Sequence, residues 1–207
     1  VQRRADYLST LNEISMSLTS VLERDALFEI IYREVCRIIP VDAFFVAIYH
    51  AGSRDIEMAF LMDQGVRSPS VRFSMETGPT AKVITSGQPI LFNRQEDEMM
   101  DGERRYGHNV DEATSSVIIV PMRMGAHVVG AISAQSYTMN AYGEEERDLL
   151  MTIASSAAIA LENARLYQSA RELSLTDDLT GLGNYRYFCD LLDKEIERAI
   201  RHGTPLT

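Results

Sequence analysis

The chain has 207 residues, 45% of them hydrophobic, with 20 Lys and Arg against 30 Asp and Glu and a formal net charge of −10. That length and balance describe a folded chain of one well-buried domain plus a smaller appendage. The acidic surplus repels phosphate backbones and anionic lipid and so argues against nucleic acid as a partner, and no apolar run reaches the roughly 20 residues that a membrane-spanning helix needs.

Leu8, Leu11, Ser15, Leu18 and Leu22 recur at steps of three and four, which draws a narrow apolar stripe along a first helix. The stripe is either a coiled-coil seam or the packed side of an amphipathic helix. A second helix is expected from Arg24 to Ile39, with Leu27, Ile30, Ile31, Val35 and Ile38 inward and Pro40 as its stop. Ala43 to Tyr49 is apolar at successive positions, the mark of a strand covered on both faces. His50 to Arg54 turns it into an antiparallel strand near Asp55 to Met62.

Thr77-Gly78-Pro79 opens a short helix that Gly87 closes, and Pro89 to Phe92 returns to the sheet. From Asn93 to Thr114 the chain turns polar, and a covering loop with a short helix is expected there. Ser116 to Met122 and His127 to Gln135 form a hairpin about Arg123 to Ala126. Gly143 followed by Glu144, Glu145 and Glu146 starts a long helix, since first-turn carboxylates suit the positive end of the helix dipole. Its inward stripe runs through Leu150, Ile153, Ala157 and Ala164, with no Pro or Gly before Gly181. About thirty residues at about 1.5 Å each make a rod of roughly 45 Å. Thr176 to Asn184 is a polar turn, and Tyr185 to Arg201 is a fresh amphipathic helix ended by Gly203 and Pro205.

Cys36 and Cys189 are the two cysteines, each in an expected helix and without metal-like spacing. They read as structural thiols of a reducing compartment, and with no secretory signal at the start the expected location is cytoplasmic. His50, His108, His127 and His202 show no ligand spacing, so no metal site is expected.

Two stretches carry a resemblance. Ser116 to Met122, then Val129-Gly130-Ala131-Ile132, Glu146 to Leu150 and Ala158 to Leu166 resemble the second half of GAF domains, and the likeness extends back to about Val21. Asp177-Asp178-Leu179-Thr180-Gly181-Leu182-Gly183-Asn184-Tyr185-Arg186-Tyr187-Phe188 is similar to the entry motif of GGDEF domains, with Tyr185 where that family usually has an Arg.

The GAF resemblance implies an α+β fold: a central antiparallel sheet with helices on one face, a loop-covered ligand pocket on the other, and a long C-terminal signalling helix. Three parts follow: a signalling helix over 1–20, the GAF domain over 21–170, and over 171–207 a linker and the truncated start of a GGDEF domain. The GGDEF resemblance implies a diguanylate cyclase that condenses two GTP molecules into cyclic di-GMP with Mg2+, and its catalytic residues would lie beyond Thr207, so no catalytic residue is expected here. Asp177 and Asp178 are expected to bond turn amides and not a metal.

Candidate pocket residues are Phe45, Ala47, Phe60, Val83, Phe92, Ile118 and Ile132, although alternation alone does not say which face each occupies. Leu8, Leu11, Leu18, Leu150, Ile153, Ala157 and Ala164 are candidates for a homodimer seam. A haem would have His108 and Met99 or Met100 as axial ligands, and a bilin would need a cysteine better placed than Cys36; core-filling methionines are the simpler reading. Three functions compete: a ligand- or dimer-driven regulator of a cyclase, a dimerisation spacer without a pocket, and a thiol-dependent enzyme, which a single cysteine in the domain disfavours.

Overall fold

The computed structural model of this chain describes residues 23–75, 77–93, 112–175, 177, 180, 182–203 and 205. The expected first helix with Leu8, Leu11 and Leu18, and the covering loop with Met99, Met100 and His108, lie outside them. Helix α1, Arg24–Ile38, buries Leu27, Phe28, Ile31 and Val35 along one side. It ends at Ile39, whose extended backbone is what a residue before proline prefers.

Strands β1, Ala43–His50, and β2, Asp55–Asp63, pair antiparallel as expected. Two further strands, β3, Val66–Ser68, and β4, Val71–Ser74, both pair with β2; at three and four residues they are too short to show alternation in the sequence. Helix α2, Pro79–Ser86, has Pro at its start and closes on Gly87 at φ 65°, the left-handed region that glycine enters without strain. Strands β5, Ile90–Asn93, β6, Ser116–Met124, and β7, His127–Ser136, complete, among the described residues, a seven-stranded sheet of order β3-β2-β1-β7-β6-β5 with β4 also on β2. Every pairing is antiparallel. Helix α3, Glu144–Leu175, and helix α4, Tyr185–His202, follow.

Helices α1 and α3 share one face of the sheet. There Phe28, Tyr32, Phe44 and Phe60 cluster with ring centroids 5.4 to 6.2 Å apart, and Val46, Ile118, Val120, Ile132 and Ala134 form the floor. Each fully buried side chain of this size contributes about 1.5–3 kcal/mol. The opposite face carries a second core of Phe45, Ala47, Ile56, Met58, Leu61, Val117, Ile119 and Ala131, against which Ala81, Val83 and Ile84 of α2 pack. The doubly apolar β1 is thereby explained.

Leu150, Ile153 and Ala157 of α3 are buried in the core that the helix shares with α1, and Ala164 is also buried. Leu150, Ile153 and Ala157, offered as part of a dimer seam, therefore lie on the side on which α3 is packed within its own unit. Among the residues of α3 whose burial is described, Ile159, Leu166 and Tyr167 are the large apolar ones left exposed, each to about half.

At the start of α1, Arg24 Nη2 lies 2.7 Å from Glu57 Oε1, and His50 Nε2 lies 2.8 Å from Glu57 Oε2. Burial works to raise the Glu57 carboxyl, but the bonds from His50 and Arg24 outweigh it and hold its pKa below the ordinary value. A carboxyl depressed by folding adds stability above its unfolded pKa, about 4.3, and loses it as pH falls through the lower folded value. The thermal midpoint should therefore fall between about pH 5 and pH 3, and less steeply in an Arg24→Ala/His50→Phe variant followed by circular dichroism.

The chain divides into two compact units after Asn163. In the second, Asn184 Oδ1 accepts from the Tyr187 amide at 3.1 Å and caps α4. Tyr185, Phe188 and Ile200 of α4 are more than half exposed.

Candidate functional site

Cross-strand partners point to the same face of a sheet, so the register maps the surface opposite α1 and α3 row by row. One row reads Asp63, Ala43, Gln135, Val117, Phe92. The next reads Leu61, Phe45, Ser133, Ile119, Ile90, and a third reads Met58, Ala47, Ala131, Pro121. The third row is wholly apolar. Polar groups gather in the first two rows, at the end of the sheet where β1 begins.

Asp63, Thr114 and Ser133 are buried there, and burial of such groups demands hydrogen bonds. Thr114 Oγ1 donates to Gln135 Oε1 at 2.8 Å, and Gln135 Nε2 donates to Ser133 Oγ at 3.2 Å, which fixes the amide's orientation. Tyr137 Oη donates to Asp63 Oδ1 at 3.0 Å. Apolar walls with a few placed hydrogen-bonding groups are the make-up of a binding surface. Among the described residues no group of three or more His, Cys, Asp or Glu is placed to hold a metal ion.

The seven residues proposed from sequence are divided between the two faces. Phe45, Ala47, Val83 and Phe92 belong to the face opposite α1 and α3. Phe60, Ile118 and Ile132 lie on the other face, in the core with α1 and α3, and so do not share a surface with the first four. The bulge where Val46 and Ala47 face Phe60 and Met58 shifts the alternation of β2 by one residue. In β6 and β7 both faces are apolar, so Ile118 and Ile132 are as hydrophobic as their neighbours that point the other way. Asp63, Thr114, Ser133 and Gln135 went unnoticed in the sequence; Ser133 and Gln135, two apart in a strand, were the available sign of a shared polar face.

Cys36 is exposed on α1, the helix on the other side of the sheet. Partial burial of its thiol pushes the pKa up, with a hydrogen bond from Tyr32 acting the opposite way. Tyr32 is itself pushed up to about 12, by burial first and then by Cys36. A raised thiol pKa means less thiolate at neutral pH and a poor nucleophile.

In the second unit, Asp177 Oδ1 accepts from the Thr180 amide at 2.9 Å and from Thr180 Oγ1 at 2.8 Å, and the Asp177 amide donates to the Leu182 carbonyl at 2.8 Å. Asp177 thus serves the turn, as expected; Asp178 lies outside the described residues. Among the described residues, no helix is long and apolar enough to cross a membrane.

Residues 21–162 match the family model described as GAF domain. Among solved structures, the chain is similar to the GAF domain of an Acinetobacter phosphoenolpyruvate-protein phosphotransferase, with a TM-score of 0.60 at 17% identity over 78% of this chain and 96% of that one. It is similar to a free methionine-R-sulfoxide reductase from Neisseria meningitidis, solved with its substrate, with a TM-score of 0.58 at 14% identity over 80% and 93%. The chromophore-binding domain of a bacteriophytochrome from R. palustris gives a TM-score of 0.57 at 14% identity over 81% and 64%. Likeness at such identities speaks for the fold. No relative among curated proteins matches the chain.

Proposed function

The chain belongs to the GAF domain family, and from that premise we propose that it is the sensory and regulatory part of a cytoplasmic diguanylate cyclase, passing a ligand or dimerisation signal along α3 to a GGDEF domain that makes cyclic di-GMP from GTP with Mg2+. The observation that carries this reading is the unbroken 32-residue α3, which leads into the Asp177 turn. The GGDEF-like sequence of that turn, and the Asn184 cap that starts α4, support it. A small molecule would rest on the face of Phe45, Ser133, Gln135 and Asp63. We assign no catalytic step to the segment itself.

The test uses the intact protein that carries this chain, incubated with GTP and Mg2+ and assayed for cyclic di-GMP by chromatography. Product is expected, and Ala170→Pro, which costs a helix interior about 3 kcal/mol, is expected to change turnover at least about tenfold without lowering the melting temperature of the sheet. Absence of product from the intact protein overturns the cyclase reading.

The partner we propose for α3 is a second copy. Ile159 and Leu166 are each 52% exposed and stand one heptad apart. Replacing both with Glu is expected to convert dimer to monomer in sedimentation experiments with the melting temperature kept; an unchanged mass would sink the seam.

Burial of Phe45, Asp63 and Ser133 favours the second reading, a dimerisation spacer whose face is filled by its own side chains. A panel of small molecules separates the two, since a ligand bound by the folded chain raises its melting temperature. The thiol-dependent enzyme has little support: Cys36 is on the wrong side of the sheet and its pKa is raised.

A further inference from the structure

Residues 137–143 join β7 to α3, and side chains from several strands hold them. Asn93, Ser116 and Ser136 are cross-strand partners and form a polar row at the end of the sheet. Asp42 Oδ2 accepts from Ser136 Oγ at 2.6 Å and from the Tyr137 amide at 2.9 Å. Ser116 Oγ donates to the Thr138 carbonyl at 2.8 Å and accepts from the Ala141 amide at 3.0 Å. Asn93 Nδ2 donates to the Tyr142 carbonyl at 3.2 Å, and Tyr142 Oη donates to the Pro40 carbonyl at 2.7 Å. Glu146 Oε2 then accepts from the Gly143 amide at 2.8 Å, the reach-back bond of a capping box that sets the first turn of α3.

A further bond reaches the connector from the opposite face. Tyr137 Oη reaches Asp63 Oδ1, and Asp63 heads the polar row of the face opposite α1 and α3. The connector that leads to α3 is thus tied, at its β7 end, to the surface on which a ligand would sit.

We propose that the Tyr137–Asp63 bond is a release catch. A ligand that brings a cationic or hydrogen-bond-donating group to Asp63 displaces the tyrosine hydroxyl, and the connector loses that bond to the face. Exchanging one donor for another on a carboxylate nearly conserves hydrogen-bond energy, so a modest difference in ligand affinity moves the equilibrium. The inference rests on the reading of α3 as the output of the module.

Coupling between two sites is reciprocal, so the catch can be tested from the helix end by hydrogen exchange on the full chain. Glu146→Ala removes the acceptor for the Gly143 amide and should speed exchange over 143–150 about tenfold. If the catch couples the two ends, exchange over 61–68 rises in the same variant. In a Tyr137→Phe background that distant rise should vanish; in an Asp63→Asn background, where an amide oxygen still accepts the hydroxyl, it should persist. An effect of Glu146→Ala confined to α3, or a distant rise that survives Tyr137→Phe, overturns the proposal. If Tyr137→Phe exchanges globally, Asp63→Ala serves the same arm. A chain that stays monomeric at every concentration would defeat the dimer reading of α3 while leaving the distant rise in place, so the two failures are distinguishable.

Discussion

Gly130→Ala is expected to destabilise the first unit by about 3 kcal/mol or more, the upper range for overpacking a core. A Cβ at Gly130 would press on the carbonyl oxygen of Ala47 well inside contact distance and would stand 2.6 Å from Met122 Cε. The methionine tip can swing aside; the Ala47 carbonyl cannot, because it belongs to β1, which pairs with β7 across the middle of the sheet. The only relief is to part those two strands, and with them the floors of both cores. At roughly 2–4 °C per kcal/mol for a domain of this size, the melting temperature should drop by about 6–12 °C. Gly52→Ala is the control: nothing stands within 4 Å of its Cβ, so its midpoint should match the unsubstituted chain in the same thermal scan. Equal midpoints for both variants would mean that β1 and β7 are not so closely apposed.

The second large effect is expected from Ala157→Glu. Ala157 has no exposed surface and sits among Ile153, Ala154, Ala158 and Ala160 in the core shared by α1 and α3. A carboxylate forced there must be neutralised or drive the helix off the sheet, and the cost is about 3–5 kcal/mol. The expected result is loss of cooperative unfolding, seen as a flattened near-ultraviolet transition, and not simple dissociation of a dimer. Ile159→Glu, two residues along and 52% exposed, should leave the transition in place. Cooperative melting of both variants at one temperature would remove Ala157 from the core.

These contrasts show how much was legible in the residues. Long periodic or well-punctuated segments were: α3 from its leading carboxylates and uninterrupted stripe, α2 from the Pro79 and Gly87 at its ends, and the β6–β7 hairpin from two apolar runs about a short turn. The layered fold followed from β1, whose continuous apolarity required cover on both sides. That same property concealed the site. A strand buried on both faces has no alternation from which to read a direction, and the bulge opposite Val46 and Ala47 changes the parity of β2 in a way that no local pattern records. Asp63 is one acidic residue at a strand end until pairing with Ala43 places it in a row with Gln135. The buried side of α3 was identified correctly as inward, but inward meant its own core, since a helix stripe does not name the surface it meets.

The packed side of α3 changes character along its length. Near its start Leu149, Leu150 and Ile153 lock into the core, whereas Ala154, Ala157, Ala158 and Ala160 present little more than methyl groups. Ridges that shallow interlock weakly with what lies beneath them. Resistance to axial sliding is therefore concentrated in the first three turns, with Leu161 packed on the core further along, and removing bulk at Ile153 would free more travel along the axis than removing it anywhere in the alanine stretch.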